Sequence, residues 1–161
     1  MPDTALTLLF VCTGNTCRSP MAEVIARDVA RERGLAIEVR SAGIAADETS
    51  GASEGSLLVA MERGLDLSRH RARQLTRALL GEADLVLTMG PSHLAAVREL
   101  GGERKAALLA DYASYGESQR PVSDPIGAEL PVYRATFEEL HRLVQRALDR
   151  GERQVVVLVV A

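Results

Sequence analysis

The segment LTLLFV, Leu6–Val11, is an unbroken apolar run that stops abruptly at Cys12, where small polar residues take over. It is far shorter than the roughly 20 residues a membrane helix needs. It also lacks the alternation of a strand with one wet face, so it suits a strand buried on both faces, as in a parallel sheet. After the polar loop the pattern becomes helical. Met21, Val24, Ile25 and Val29 fall on one side and Arg27, Asp28, Arg31 and Glu32 on the other. Ser19 is a good N-cap, Pro20 suits the first helical position, and Glu23 is spaced to hydrogen-bond back towards the start. Gly34 ends the helix.

The same alternation continues along the chain. AIEVRSAG (Ala36–Gly43) reads as a second strand, ADLVLTM (Ala83–Met89) as a third and KAALLA (Lys105–Ala110) as a fourth. Helical spacing fills Leu57–Arg63, Leu75–Leu80, Ser92–Leu100 and Leu130–Arg150, and a long loop from Asp111 to Gly127 carries SDPIG. Strands alternating with helices specify an α/β fold with a parallel sheet and right-handed crossovers. With 161 residues and no linker or internal repeat, residues 1–161 read as a single domain. The tail RQVVVLVVA (Arg153–Ala161) is β-branched and reads first as an extra C-terminal edge strand, with a dimer contact as the alternative.

Composition excludes several functions. A chain that is 47% hydrophobic and 25% charged has the makings of a folded core. A net charge of −3 gives no footprint for nucleic acid. The N-terminus lacks the basic region of a signal peptide, and no apolar stretch is long enough for a membrane span, so a soluble cytoplasmic protein is expected. Two cysteines make no disulfide framework, and three scattered histidines (His70, His93, His141) make no zinc site, so neither a metal nor a cofactor is expected. Nothing in the sequence signals an oligomeric state. Asn15 is the chain's only asparagine, and it lies inside the opening loop.

That loop has the form Cys12-x5-Arg18-Ser19 and sits where α/β sheets collect ligands, at the carboxyl end of a strand. Five intervening residues can wrap backbone amides around one tetrahedral oxyanion, with the positive end of the following helix behind them. Thr13, Gly14, Asn15, Thr16, Cys17 and Ser19 therefore become the expected phosphate cradle. Gly14 would supply conformational freedom, and Asn15 tolerates a left-handed backbone while its amide pins the loop. Amides, helix end and Arg18 should all lower the pKa of Cys12, Arg18 can grip two phosphoryl oxygens, and Ser19 can hydrogen-bond the sulfur. The chemistry these groups suit is displacement at phosphorus through a phosphocysteine, with Asp124 of SDPIG as general acid and then base. The alternative for Cys12 and Arg18 is a buried structural thiol beside a surface cation, but TGNT would make a poor core.

These motifs resemble the low-molecular-weight protein tyrosine phosphatases. VCTGNTCRSPMAE, SAG, SRHRARQL, ADLVLTM and DPIG stand in the family's order, covering Leu6 to about Arg150. The resemblance implies a three-layer α/β sandwich with a four-stranded parallel sheet of order 2-1-3-4. It implies Cys12 as nucleophile, Arg18 as phosphate binder and Asp124 as general acid, with Ser41 and His70 holding Asn15. It also implies that Cys17 can pair reversibly with Cys12 against over-oxidation; the alternative is a small buried hydrophobe.

Phosphorylated proteins are the implied substrates. Thr16 replaces the bulky aliphatic residue typical of tyrosine-directed members, which resembles the bacterial protein-arginine phosphatases. The loop after SAG and the residue after DP, Ile126, offer no aromatic ring to sandwich a phosphotyrosine. Asp47 and Glu48 in that loop are either a guanidinium attractor or a solvated face. Ile126 itself departs from the arginine phosphatases, which commonly keep an aromatic there. The expected activity is phosphoarginine hydrolysis, with phosphotyrosine hydrolysis as the alternative. Arsenate reduction lacks its relay cysteines, a non-catalytic phosphate-binding module would not keep Cys12, Arg18 and Asp124 together, and no Gly-Lys-Ser/Thr follows the loop for nucleotide binding.

Overall fold

The computed structural model describes residues 5–160, with side chains through residue 152. Four parallel strands form the sheet: β1 (Leu6–Cys12), β2 (Ile37–Gly43), β3 (Leu85–Thr88) and β4 (Ala106–Leu108), in the order β2-β1-β3-β4. The apolar run is the inner strand β1, and its side chains alternate between two cores. Leu8, Phe10 and Cys12 face one layer with Met21, Ile25, Phe137, Leu140 and Val144. Leu9 and Val11 face the other with Leu80, Val86 and Val97. This is the expected three-layer arrangement, and it explains why the run has no polar alternation: both faces are covered.

Helices α1 (Arg18–Arg33), α2 (Glu54–Glu62), α5 (Leu109–Ala113) and α6 (Leu130–Val160) contribute to the first layer, and α3 (Arg77–Glu82) and α4 (Pro91–Glu99) to the second. Gly34 closes α1 in the left-handed conformation (φ 65°), with Leu35 N–H reaching the Ala30 carbonyl.

Three expectations change. Helix α1 begins at Arg18 with Cys17 as the N-cap, not at Pro20 after Ser19. The loop tightens straight into the helix, and the Ser19 hydroxyl is taken by the site described below. The fourth strand is only three residues, and Leu109–Ala113 turns helical, burying Leu109 and Tyr112 against the first core. The tail is no edge strand. It continues α6 to Val160, and the sheet has four strands among the described residues. Extending a helix already anchored by Phe137, Leu140, Val144, Ala147 and Leu148 avoids a fresh nucleation step, and that outweighs β propensity.

Phe10 is fully buried at the centre of the first core. Replacing it with alanine is expected to cost about 3–5 kcal/mol in equilibrium urea unfolding.

Candidate active site

Strand β1 delivers Cys12 to the edge of the first core, and α1 delivers Arg18 and Ser19 one loop later. The loop closes around Asn15, which is fully buried and left-handed (φ 56°). Each of its polar groups is matched. Its Nδ2 donates to Ser19 Oγ at 2.7 Å, and its Oδ1 accepts from the Arg73 backbone N–H at 2.9 Å. Its carbonyl accepts from His70 Nε2 at 2.7 Å, which fixes the proton of that ring on Nε2. The left-handed position thus belongs to Asn15, not to Gly14, which has no positive φ. The glycine that the loop demands is Gly43, paired with Cys12 in the sheet: a Cβ there would stand 2.5 Å from the Thr13 carbonyl oxygen and 2.9 Å from Asn15 N.

His70 is where expected, but Ser41 is not. Its hydroxyl donates to Glu23 on α1 rather than to Asn15. A carboxylate is the stronger acceptor, and Ser19 already takes the Asn15 amide. Ser41 therefore supports the helix behind the loop.

At the floor, Cys12 Sγ lies 2.9 Å from Ser19 Oγ, and the N–H groups of Asn15 and Ser19 also bond the sulfur. Arg18 nearby adds attraction for a thiolate. Burial nevertheless dominates and pushes the Cys12 pKa up from its ordinary value, the reverse of the expected direction. Favourable donors along the sequence do not show the desolvation of a cysteine that is only 2% exposed as a residue.

Arg18 bridges the loop to the acid segment. Its Nη1 donates to the Val122 carbonyl at 3.0 Å, and its Nη2 lies 3.4 Å from both Thr13 Oγ1 and Asp124 Oδ2. Asp124 is partly exposed and accepts from the Ile126 N–H. Val122 N–H in turn bonds the Met89 carbonyl at the end of β3. Cys12, Arg18 and Asp124 are thereby gathered at one end of the sheet.

The remaining predicted residues fill the rim. Thr16 is half-buried, and its carbonyl accepts from Ser53 N–H, the residue capping α2. Cys17 is buried, with Sγ 3.1 Å from Ser53 Oγ and 3.5 Å from Tyr133 Oη, and both thiols are free. Asp47 is held by Thr49 within its own loop, and Glu48 accepts from the Gln74 backbone N–H, tying that loop to the neighbouring segment. Ile126 is exposed beside Asp124. Among the described residues, no group of three His, Cys, Asp or Glu side chains is placed to hold a metal ion, and no helix is long and apolar enough to cross a membrane.

The sequence reading missed His93. It is 2% exposed on α4, and its Nε2 pairs with Thr13 Oγ1 at 2.9 Å, the hydroxyl that also faces Arg18. Burial, reinforced by Arg18, lowers its pKa to about 4, so the ring is neutral at ordinary pH. Its only signal is a histidine in the first turn of the helix after β3, indistinguishable by pattern from a core residue.

The family described as low molecular weight phosphotyrosine protein phosphatase matches residues 7–156. The chain belongs to this family. It is 36% identical over 141 residues to a protein-arginine-phosphatase of Bacillus subtilis, spanning 86% of this chain and 92% of that one. It is 34% identical over 143 residues to a probable low molecular weight protein-tyrosine-phosphatase of Ralstonia solanacearum, spanning 89% and 91%. The structure superposes on the YwlE arginine phosphatase of Geobacillus stearothermophilus with a TM-score of 0.85 at 34% identity, covering 94% of this chain and 96% of that one. Low-molecular-weight phosphatases of this kind are cysteine-dependent protein phosphatases, and this chain is one of them.

Two measurements probe the site's electrostatics. Ser19 lowers the Cys12 pKa, so Ser19→Ala should shift the pH midpoint of Cys12 alkylation by iodoacetamide further upward, read by mass spectrometry. His93 has a folded pKa below its ordinary 6.5, so its stabilising contribution is complete above pH 6.5 and is lost as pH falls through about 4. The parent should therefore lose more unfolding free energy across that window than His93→Gln does.

Proposed function

We propose that this phosphatase hydrolyses phosphoarginine on proteins, with Cys12 as nucleophile, Arg18 as phosphate grip and Asp124 as proton carrier. The phosphoryl group sits over Cys12, between the loop amides and Arg18, whose buried Nε–H has no partner among the described residues and is a donor suited to an oxyanion. As the sulfur closes on phosphorus, the thiol proton passes to a phosphoryl oxygen. The S–P bond forms, the P–N bond breaks, and the departing guanidine nitrogen takes the Asp124 proton. Asp124, now a carboxylate, draws a proton from water as that water attacks the phosphocysteine. The S–P bond breaks, the phosphoryl oxygen that took the thiol proton returns it to the sulfur, and phosphate leaves with the thiol restored. The raised Cys12 pKa fits this order, because the sulfur keeps its proton until the incoming phosphoryl oxygen takes it.

The observation that carries the choice of phosphoarginine is Thr16 at the rim. Its carbonyl accepts from Ser53 N–H, and its hydroxyl lies 3.7 Å from Cys17 Sγ within the same loop. A hydroxyl there suits a polar guanidinium and can orient the hydrolytic water, whereas a branched aliphatic would favour a ring. Ile126 beside the acid supplies no aromatic face for phosphotyrosine. Similarity to proteins named protein-arginine-phosphatase, at 36% and 35% identity, supports the same reading. The tyrosine-phosphatase relatives keep phosphotyrosine as the second reading.

Rates on phosphoarginine and phosphotyrosine peptides for the parent and Thr16→Ile separate the two. The parent should prefer phosphoarginine, and the variant should swing towards phosphotyrosine by on the order of tenfold in relative kcat/KM. Equal preference in both proteins would remove the substrate assignment. Cys12→Ser should abolish turnover while still binding phosphate; surviving activity would move the nucleophile elsewhere.

A further inference from the structure

A second concave site lies behind the phosphate loop, between α1, β2 and the segment from Asp66 to Arg73. It is a cleft of about 310 Å³, and five arginines line it: Arg27, Arg40, Arg69, Arg71 and Arg73. Two of these are neutralised within the protein. Arg27 pairs with Glu23, and Arg40 pairs with Glu38 and Glu82. The two acids on the wall are also engaged, Glu23 by Arg27 and Ser41, and Asp66 by the Ser68 N–H. No carboxylate among the described residues comes within ion-pair distance of Arg69, Arg71 or Arg73. Three guanidinium groups carried by five consecutive residues thus line one concavity, with the Asp66 carboxylate, which Arg69 feels at longer range, the one acid on that wall not already paired to an arginine. Such a surface focuses positive potential, and guanidinium is the side chain best shaped for phosphate oxygens.

The cleft is wired to the catalytic loop. Its wall includes His70 and Arg73, the two residues that hold Asn15 by its carbonyl and its Oδ1. Asn15 holds Ser19, and Ser19 touches Cys12. An anion gripped by Arg69, Arg71 and Arg73 therefore bears on the strap that sets the loop's shape.

We propose that this cleft binds the phosphate group of a small molecule, and that its occupancy is coupled to the catalytic loop through His70 and the Arg73 amide. The volume lies at the lower end for ligand pockets, which suits a compact phosphate rather than a phosphorylated protein segment. Linkage requires the coupling to run both ways: phosphate in the cradle and phosphate in the cleft alter each other's affinity by one common factor. The site is independent of whichever phosphorylated residue the cradle accepts.

Calorimetric titration of the full chain with inorganic pyrophosphate, and separately with glucose 6-phosphate, tests it. Arg18→Ala blunts the cradle and leaves the cleft whole. Arg69→Gln/Arg71→Gln does the converse, with both exchanged side chains exposed at the surface. Expected are two pyrophosphate sites in the parent and one in each variant. In Arg18→Ala, ligand binding should shift the Arg73 backbone and Asn15 side-chain amide resonances in nitrogen-15 NMR. Adding Arg69→Gln/Arg71→Gln to Arg18→Ala should weaken binding about tenfold or more. Binding of both ligands assigns the cleft to phosphate esters, and binding of pyrophosphate alone assigns it to inorganic phosphates. No binding to Arg18→Ala, or unchanged affinity in the triple variant, overturns the site. Binding that leaves the Arg73 and Asn15 resonances unmoved overturns the coupling. Retention of one cradle site by Arg69→Gln/Arg71→Gln shows that this variant is folded, and the phosphoarginine preference of the parent is measured independently.

Discussion

A buried asparagine governs this structure. Asn15 occupies a left-handed conformation that costs most side chains about 1 kcal/mol or more, and it sits at 0% exposure, where an unmatched amide would cost more still. Four contacts from three places fix it: Ser19 on α1, His70 and the Arg73 amide on one segment, and the neighbouring Gly43 on β2, which is close enough that no Cβ could stand there. Removing any one leaves a buried polar group unmatched or the loop displaced. The loop's shape therefore follows from its surroundings rather than from its own sequence, and elements as distant as residues 70–73 take part in setting where Cys12 meets a substrate.

Around this pin the loop is held from two sides by two histidines. His70 is half-buried and donates through Nε2 to the Asn15 carbonyl. His93 is sealed in and kept neutral by burial and by the positive charge of Arg18. A charged ring there would oppose the guanidinium that must meet the phosphoryl group. Arg18 spans the gap between the two sides, tied to the acid loop through the Val122 carbonyl and to Thr13 at the first turn of the cradle. Loop, acid and sheet edge thus form one connected hydrogen-bonded frame.

What the sequence disclosed follows from this division. The strand, the helix, the parallel sheet and the trio Cys12, Arg18 and Asp124 were legible because each rests on local pattern: apolar runs, helical spacing, fixed motif intervals. The left-handed Asn15 was legible for the same reason, since few other side chains tolerate that backbone. Long-range matching was not. The family resemblance implies that Ser41 holds Asn15, but only the fold shows that Glu23 on α1 offers it a better acceptor. The demand on Gly43 arises from a β1–β2 register that no local pattern encodes. The Val-rich tail misled because β propensity describes a pleated surface, and this segment extends an established helix instead.

The thiol poses the sharpest physical question, because the donors that make a good phosphate cradle did not yield a lowered pKa. Both outcomes have one cause. The interior position that desolvates Cys12 also excludes water from Asn15, Ser19 and Arg18, and hydrogen bonds and charges act more strongly where water cannot screen them. In such a site the penalty falls on whichever state leaves charge unmatched. A sulfur alone among the donors is held towards its neutral form. A phosphoryl group spreading negative charge over oxygens that face those same donors is held towards its transition state. Moving Cys12 towards solvent would ease ionisation of the thiol and weaken the grip on the anion together, so a buried nucleophile with a raised pKa is the consistent outcome of building the cradle at the inner end of β1.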